Sequence, residues 1–187
     1  MSTNDWIAPL LAELARLDVR VESRAAPGLG PAQLITLPTD DWGILGKEAA
    51  RAGCRWVAGW GEDAGNDEIH ISACFEKGGA YLLARTAVRR ATPVLLSHTP
   101  YFPGADRPEP HTQDMFGVAF MDHPDARRWT RHKAWKDSEY PLRQDFPAAG
   151  HPSAQTPTDH DYKFFFAHGT GVYEIPVGPV HAGIIEP

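Results

Sequence analysis

Apolar residues near the start of the chain recur at spacings of three and four. Trp6, Ile7, Leu10, Leu11, Leu14 and Leu17 fall on one stripe, the pattern of an amphipathic helix that buries one side. Asp5 is placed to cap this helix, and Pro9 lies within about its first turn, where a missing N–H costs least. The stretch from Ala26 to Pro31, with Gly28, Gly30 and two prolines, breaks the pattern, and Gln33 to Leu37 then reads as a short strand. Thr39 or Asp40 opens a second helix running to about Ala52, with Gly53 as its stop. Cys54 to Trp60, Glu68 to Glu76 and Tyr81 to Val88 are strand-like and are separated by a Gly/Asp/Asn turn and by Gly78-Gly79, the spacing of an antiparallel meander. Thr92 to Ser97 is either a further strand or a helix start, because periodicity does not decide over so few residues. The order predicts an α+β fold: a small antiparallel or mixed sheet with helices on one face.

From Tyr101 onward the texture changes to Pro, charged and aromatic residues with little periodicity, and an extended Pro-rich C-terminal arm is expected. The expected divisions are a globular domain over 1–100, an arm over 101–147, a linker over 148–162 and a second apolar segment over 163–187. The linker is too polar and Pro-rich to bury much apolar area. The last segment, with Phe164 to Phe166, Val172 to Ile175 and Val177 to Ile185, reads as one or two strands in need of a partner sheet.

With 187 residues, 42% of them hydrophobic, the chain is long enough for one core plus a tail. A formal net charge of -6 offers no general attraction to nucleic acid. The local exception is basic: Arg127, Arg128, Arg131, Lys133 and Lys136 surround Trp129 and Trp135. Such a run suits RNA or, better, a solvated or partner-facing surface. Cys54 and Cys74 form no C-x-x-C pair, so neither a zinc ribbon nor a self-contained iron–sulfur site is supported. No apolar run approaches the ~20 residues of a membrane span, and no signal-peptide pattern opens the chain. A cytoplasmic protein is the expectation.

Candidate catalytic chemistry is thin. Glu62-Asp63 and the pair Asp106 and Glu109 could serve acid–base work, but acidic residues in turns are usually solvated. The nine His residues include no H-x-x-x-H helix with a neighbouring Glu. No serine stands in a G-x-S-x-G turn, and Gly169-Thr170-Gly171 lacks the G-K-[ST] of a phosphate loop. A small hydrolase using Asp or His between positions 101 and 125 is the outlying alternative.

The stretch from Glu109 to Pro147 is more specific. Asp114-Met115-Phe116-Gly117-Val118, His123-Pro124-Asp125-Ala126-Arg127-Arg128 and Tyr140-Pro141-Leu142-Arg143-Gln144-Asp145-Phe146-Pro147 occur in that order within about 40 residues. This resembles the complex I 30 kDa subunit family, whose pattern is E-R-E-x-x-D-M-F-G-I, then H-P-D-L-R-R, then H-P-L-R-K-D-Y-P. Glu109 keeps the first acidic position. Pro110 and His111 replace the following Arg and Glu, Ala126 replaces Leu, and Tyr140 replaces His. The end of the chain, from Gly169 to Pro187, resembles the start of the [NiFe] hydrogenase-like large subunit, which in group 4 hydrogenases such as formate hydrogenlyase is often fused behind a 30 kDa-like domain.

The resemblance implies a non-catalytic docking subunit or N-terminal domain of a membrane-associated [NiFe] hydrogenase complex. The alternative is the C-type subunit of a NADH-quinone oxidoreductase. Its partners would be the large subunit and the small iron–sulfur subunit. The [NiFe] centre, iron–sulfur clusters or quinone are expected on partner sequence and none on this chain, which would sit at the inner face of the cell membrane through its partners. Asp114, Phe116, Gly117, His123, Arg127, Arg128, Trp129, Arg143 and Asp145 are the candidate partner-binding residues. His181 is a candidate for a shared cavity loop. Arg127, Arg128 and Arg143 offer forked donors to carboxylates, with Asp114 and Asp145 as their internal anchors and Phe116, Trp129 and Phe146 as apolar area.

Overall fold

The computed structural model describes residues 6–24, 28, 30, 32–131, 135–150, 168–173 and 175. The chain divides into two units, Met1–Ala154 and Gln155–Pro187. In the second, the described residues form a turn in which Val172 N–H donates to Gly169 C=O at 3.2 Å. The strands expected at 164–166 and 177–185, most of the linker, and His181 lie outside the described residues.

The first unit opens with helix α1, Ile7–Arg16, which buries Ile7, Leu10 and Leu14. Trp6, rather than Asp5, stands at its N-cap and makes no side-chain capping bond. Leu11 is half-buried and Leu17 exposed, so the apolar stripe is narrower than its spacing suggests. Two short strands follow, β1 (Glu22–Arg24) and β2 (Gln33–Thr36). A 3-10 turn at Thr39–Asp41 leads into α2, Trp42–Arg51. Gly53 follows that helix with φ +71°, the left-handed conformation that ends a helix at glycine.

The meander is as expected in order and longer in extent: β3 is Arg55–Gly65, β4 Glu68–Lys77 and β5 Ala80–Arg89. Its strands pair antiparallel, with Ile69 opposite Val88 and Phe75 opposite Leu82. The strand β2 joins the other edge of β5 in parallel, Ile35 facing Ala84, and β1 closes the order β1-β2-β5-β4-β3. The sheet is therefore mixed. Strand alternation places Ile69, Ile71, Ala73 and Phe75 on one face with Leu82, Ala84 and Val88. These residues join Leu10, Leu14, Trp42, Leu45 and Ala49 of the helices in one apolar cluster. Each large aliphatic or aromatic side chain in it, fully buried, contributes about 1.5–3 kcal/mol.

The arm is more structured than its composition suggests. Within it Pro108–Phe116 forms helix α3 and Ala119–Met121 forms a strand that pairs in parallel with Val94–Leu96, the preceding strand; in chain order these strands are β7 and β6. Two physical reasons hide this helix from hydrophobic periodicity. Pro108 and Pro110 sit in its first turn, where backbone N–H groups lack helical partners anyway. Its buried side also carries Glu109, Thr112 and Asp114 beside Met115 and Phe116, so burial does not follow hydrophobicity. It lies against β3 at Gly61, where a Cβ would stand 2.7 Å from the Phe116 ring. The short strand β1 likewise carries no strand signal, since all three of its residues are exposed.

Candidate functional site

The site is built by four polar anchors that hold the motif-bearing segment Glu109–Pro147 onto the sheet and helices. The first is Asp114, whose side chain has no solvent exposure. Its Oδ2 accepts the successive backbone N–H groups of Trp129, Thr130 and Arg131 at 2.8, 2.6 and 2.9 Å. Three converging amides form an anion-binding concavity, which here the carboxylate fills. Arg131 is itself buried, with its Nε 3.7 Å from Asp114 Oδ1. Its NH1 donates to the carbonyls of Lys136 and Glu139, the first at 3.1 Å. One buried carboxylate and one buried guanidinium thus hold the backbone at 129–131 and at 136–139.

The second anchor is Glu109. Its carboxylate accepts Ser97 Oγ–H at 2.5 Å, His98 N–H at 2.7 Å and Thr99 Oγ1–H at 2.9 Å. Burial pushes its pKa up, against the pull of those donors and of His123, whose Nε2 lies 3.9 Å away. The His123 side chain is 2% exposed. Its Nδ1 accepts Asp125 N–H at 3.0 Å, which leaves Nε2–H to donate to Asp106 C=O at 3.2 Å. His98, beneath this cluster, stacks on Trp42 with centroids 4.7 Å apart and donates to Trp42 C=O through Nε2–H at 2.9 Å. Burial lowers its pKa to about 4, so it is neutral at ordinary pH.

The third anchor joins α3 to the last motif. Gly117 has φ +78°, and a Cβ there would stand 2.6 Å from the Tyr140 ring and 2.7 Å from Arg143. Glycine is therefore required twice over, for the backbone conformation and for the approach. Arg143 Nε donates to Phe116 C=O at 2.7 Å, capping the carbonyl end of α3 with a cation, and its guanidinium stacks over Tyr140 at 4.1 Å.

Asp63, near the end of β3, is the fourth. It accepts Gln144 N–H at 2.8 Å, Gly65 N–H at 3.0 Å and Arg90 NH2 at 2.7 Å, while Gln144 Nε2–H donates to Asp63 C=O at 2.9 Å. Burial opposes the charge, but the Gln144 and Gly65 amides and Arg90 outweigh it and hold the carboxyl below its usual range. Arg90 continues to Asp145 at 3.0 Å.

Several candidate residues have partners other than those expected. Asp114 anchors backbone and Arg131, and Asp145 pairs with Arg90; neither holds Arg127, Arg128 or Arg143. Arg127 pairs with Asp125 through two nitrogens, at 2.9 and 2.8 Å, and Arg128 pairs with Asp137 and donates to Trp135 C=O. Phe116 lies in the apolar cluster, and Phe146 packs against Trp135 at 5.9 Å. Sequence reasoning missed Asp63 as an anchor, together with Arg90 and the hydroxyls of Ser97 and Thr99, because each acts across sequence separations that local patterns do not reach. On the surface, Trp129 is 54% exposed and carries Arg107 over its ring at 4.1 Å, and Arg127 is 88% exposed. Trp129 and Arg127, with Arg107 reaching over from the start of α3, form a charged and aromatic patch beside the backbone that Asp114 holds.

Among the described residues no group of three or more His, Cys, Asp or Glu side chains is placed to hold a metal ion, and no helix is long and apolar enough to cross a membrane. The respiratory-chain NADH dehydrogenase 30 Kd subunit family matches residues 50–152, more than half of the chain. Formate hydrogenlyase subunit 5 of Escherichia coli is 31% identical over 133 residues, 66% of this chain and 23% of that protein. The C-type subunit of the Rhizobium johnstonii NADH-quinone oxidoreductase is 44% identical over 66 residues, 35% of this chain and 32% of that one. The chain thus spans a third or less of these curated relatives. A chain of the membrane-bound sulfane sulfur reductase, an archaeal respiratory membrane complex, shares the fold, with a TM-score of 0.60 at 14% identity over 75% of this chain and 85% of that chain. Sequence match and motif order agree: the chain belongs to the respiratory-chain NADH dehydrogenase 30 Kd subunit family.

Proposed function

We propose that the chain is a non-catalytic docking module of a membrane-associated, [NiFe] hydrogenase-like electron-transfer complex. The observation that carries this reading is the patch of Trp129, Arg107 and Arg127. Trp129 and Arg127 sit on a loop whose backbone N–H groups at 129–131 donate three hydrogen bonds to buried Asp114, and Arg107 reaches the Trp129 ring from the start of α3. Rigid presentation of exposed aromatic and Arg side chains suits an interface centre, since little entropy is lost when the partner arrives. The partners would be the large subunit and the small iron–sulfur subunit. The [NiFe] centre, iron–sulfur clusters or quinone would reside on their sequence, and those subunits would hold the chain at the inner face of the membrane.

The test is a pull-down of co-expressed large and small [NiFe]-type subunits by the tagged chain and by an Arg127→Ala/Trp129→Ala variant of unchanged circular dichroism. Capture by the wild type and loss in the variant supports docking through this patch. Absence of capture by the wild type overturns the reading. A second reading, the C-type subunit of a NADH-quinone oxidoreductase, is supported by 44% identity to such a subunit over 66 residues, beside 31% over 133 residues for the formate hydrogenlyase relative. It predicts capture of quinone-reductase partners in preference to hydrogenase ones.

A further inference from the structure

Beside the third anchor lies a polar pocket of about 460 Å³, whose lining includes Lys136, Ser138, Tyr140 and Arg143 together with two acids, Glu139 and Asp145. Each of its two acids has one oxygen engaged within the chain. Glu139 Oε2 already accepts Lys136 N–H at 2.8 Å, and Asp145 already holds Arg90 at 3.0 Å. Arg143 uses Nε on Phe116 C=O and its face on Tyr140. Its two terminal nitrogens, the Lys136 ammonium and the hydroxyls of Ser138 and Tyr140 have no hydrogen-bond partner among the described residues. A guanidinium clamped through Nε and stacked on a ring presents that terminal pair in fixed geometry, the arrangement that a planar carboxylate matches.

We infer that this pocket receives a carboxylate side chain carried by a partner protein, with Arg143 as the fork and Lys136 and Tyr140 as flanking donors. The inference rests on the docking reading and gives it a second contact, chemically distinct from the exposed Trp129 patch. The volume favours a protein carboxylate over phosphate, because it exceeds that of a bare ion and accommodates a side chain with adjoining backbone. Burial lowers the Arg143 pKa, a sign of a partly desolvated guanidinium for which an anionic partner is worth more than in water.

The test is an NMR titration of the 15N-labelled full chain with acetyl-Gly-Glu-Gly-amide. The neutral Gln peptide and inorganic phosphate serve as comparisons. Saturable shifts of the Arg143 Nε–H and the amides of 136–144 with the Glu peptide alone are expected, in the millimolar range for a single charge-assisted contact. The Lys136→Gln/Tyr140→Phe variant, which leaves the Phe116 cap intact, should bind at least about five-fold more weakly, and Arg143→Lys more weakly still. No saturable shift, an equal response to the Gln peptide, tighter binding of phosphate, or unchanged affinity in a folded Lys136→Gln/Tyr140→Phe variant overturns the inference. If the wild type still captures the [NiFe]-type subunits alongside any of these outcomes, the pocket falls and the docking reading stands.

Discussion

Asp63 accepts the backbone N–H of Gln144 at 2.8 Å across 81 positions of sequence, and so ties the end of the last motif to the edge strand of the sheet. The same carboxylate holds Arg90 just beyond β5. Loss of Asp63 would strand a largely buried guanidinium and an amide at once.

Asp63→Ala is therefore expected to lower folding stability by about 2–4 kcal/mol, as removal of one partner from a buried, hydrogen-bonded pair does. The measurement is urea unfolding followed by circular dichroism. The pH dependence has a defined sign. The native pKa lies below the reference value of 3.8, so the contribution is full above that value and is lost as pH falls through the lower native one. An unchanged midpoint in the variant would show that the clamp is ornamental.

Glu109 should behave oppositely. Its native pKa is raised above 4.5 by burial, so the folded state holds the proton more tightly than the unfolded one. Stability from this group is greatest below pH 4.5 and declines as pH rises through the native value, after which it is flat. Comparison of wild type and Glu109→Gln by unfolding at a series of pH values should show that declining component in the wild type only. Parallel profiles would refute the assignment.

Gly117→Ala combines a strained positive φ with a Cβ 2.6 Å from Tyr140. The expected cost is about 1–3 kcal/mol, accompanied by a change in the Tyr140 near-ultraviolet signal as its stack with Arg143 loosens. A normal Tm and an unaltered spectrum would contradict the packing described.

Trp129→Ala and Arg127→Ala act on exposed side chains, and neither should move the unfolding midpoint measurably, as is usual for surface substitutions away from buried networks. Their effect is expected only in the pull-down of partner subunits. A large drop in stability would instead reassign the patch to the domain's own architecture.

The meander, both N-terminal helices and family membership are legible in the amino-acid order alone. These depend on local signals: the alternation of Ile69, Ile71, Ala73 and Phe75, the three-and-four spacing of Ile7, Leu10 and Leu14, and motif order between Asp114 and Pro147. The parallel pairing of β2 with β5, the helix at Pro108–Phe116, and which carboxylate meets which donor emerge only in the folded chain. The anchor partners differ from expectation because a carboxylate's choice among several Arg residues and backbone amides is set by where the chain folds back. Local patterning carries no information on contacts such as Asp63 with Gln144 or Asp114 with Trp129. A helix whose buried side is polar shows no hydrophobic period, so its burial can be read only once the groups that satisfy Glu109 and Asp114 are in place.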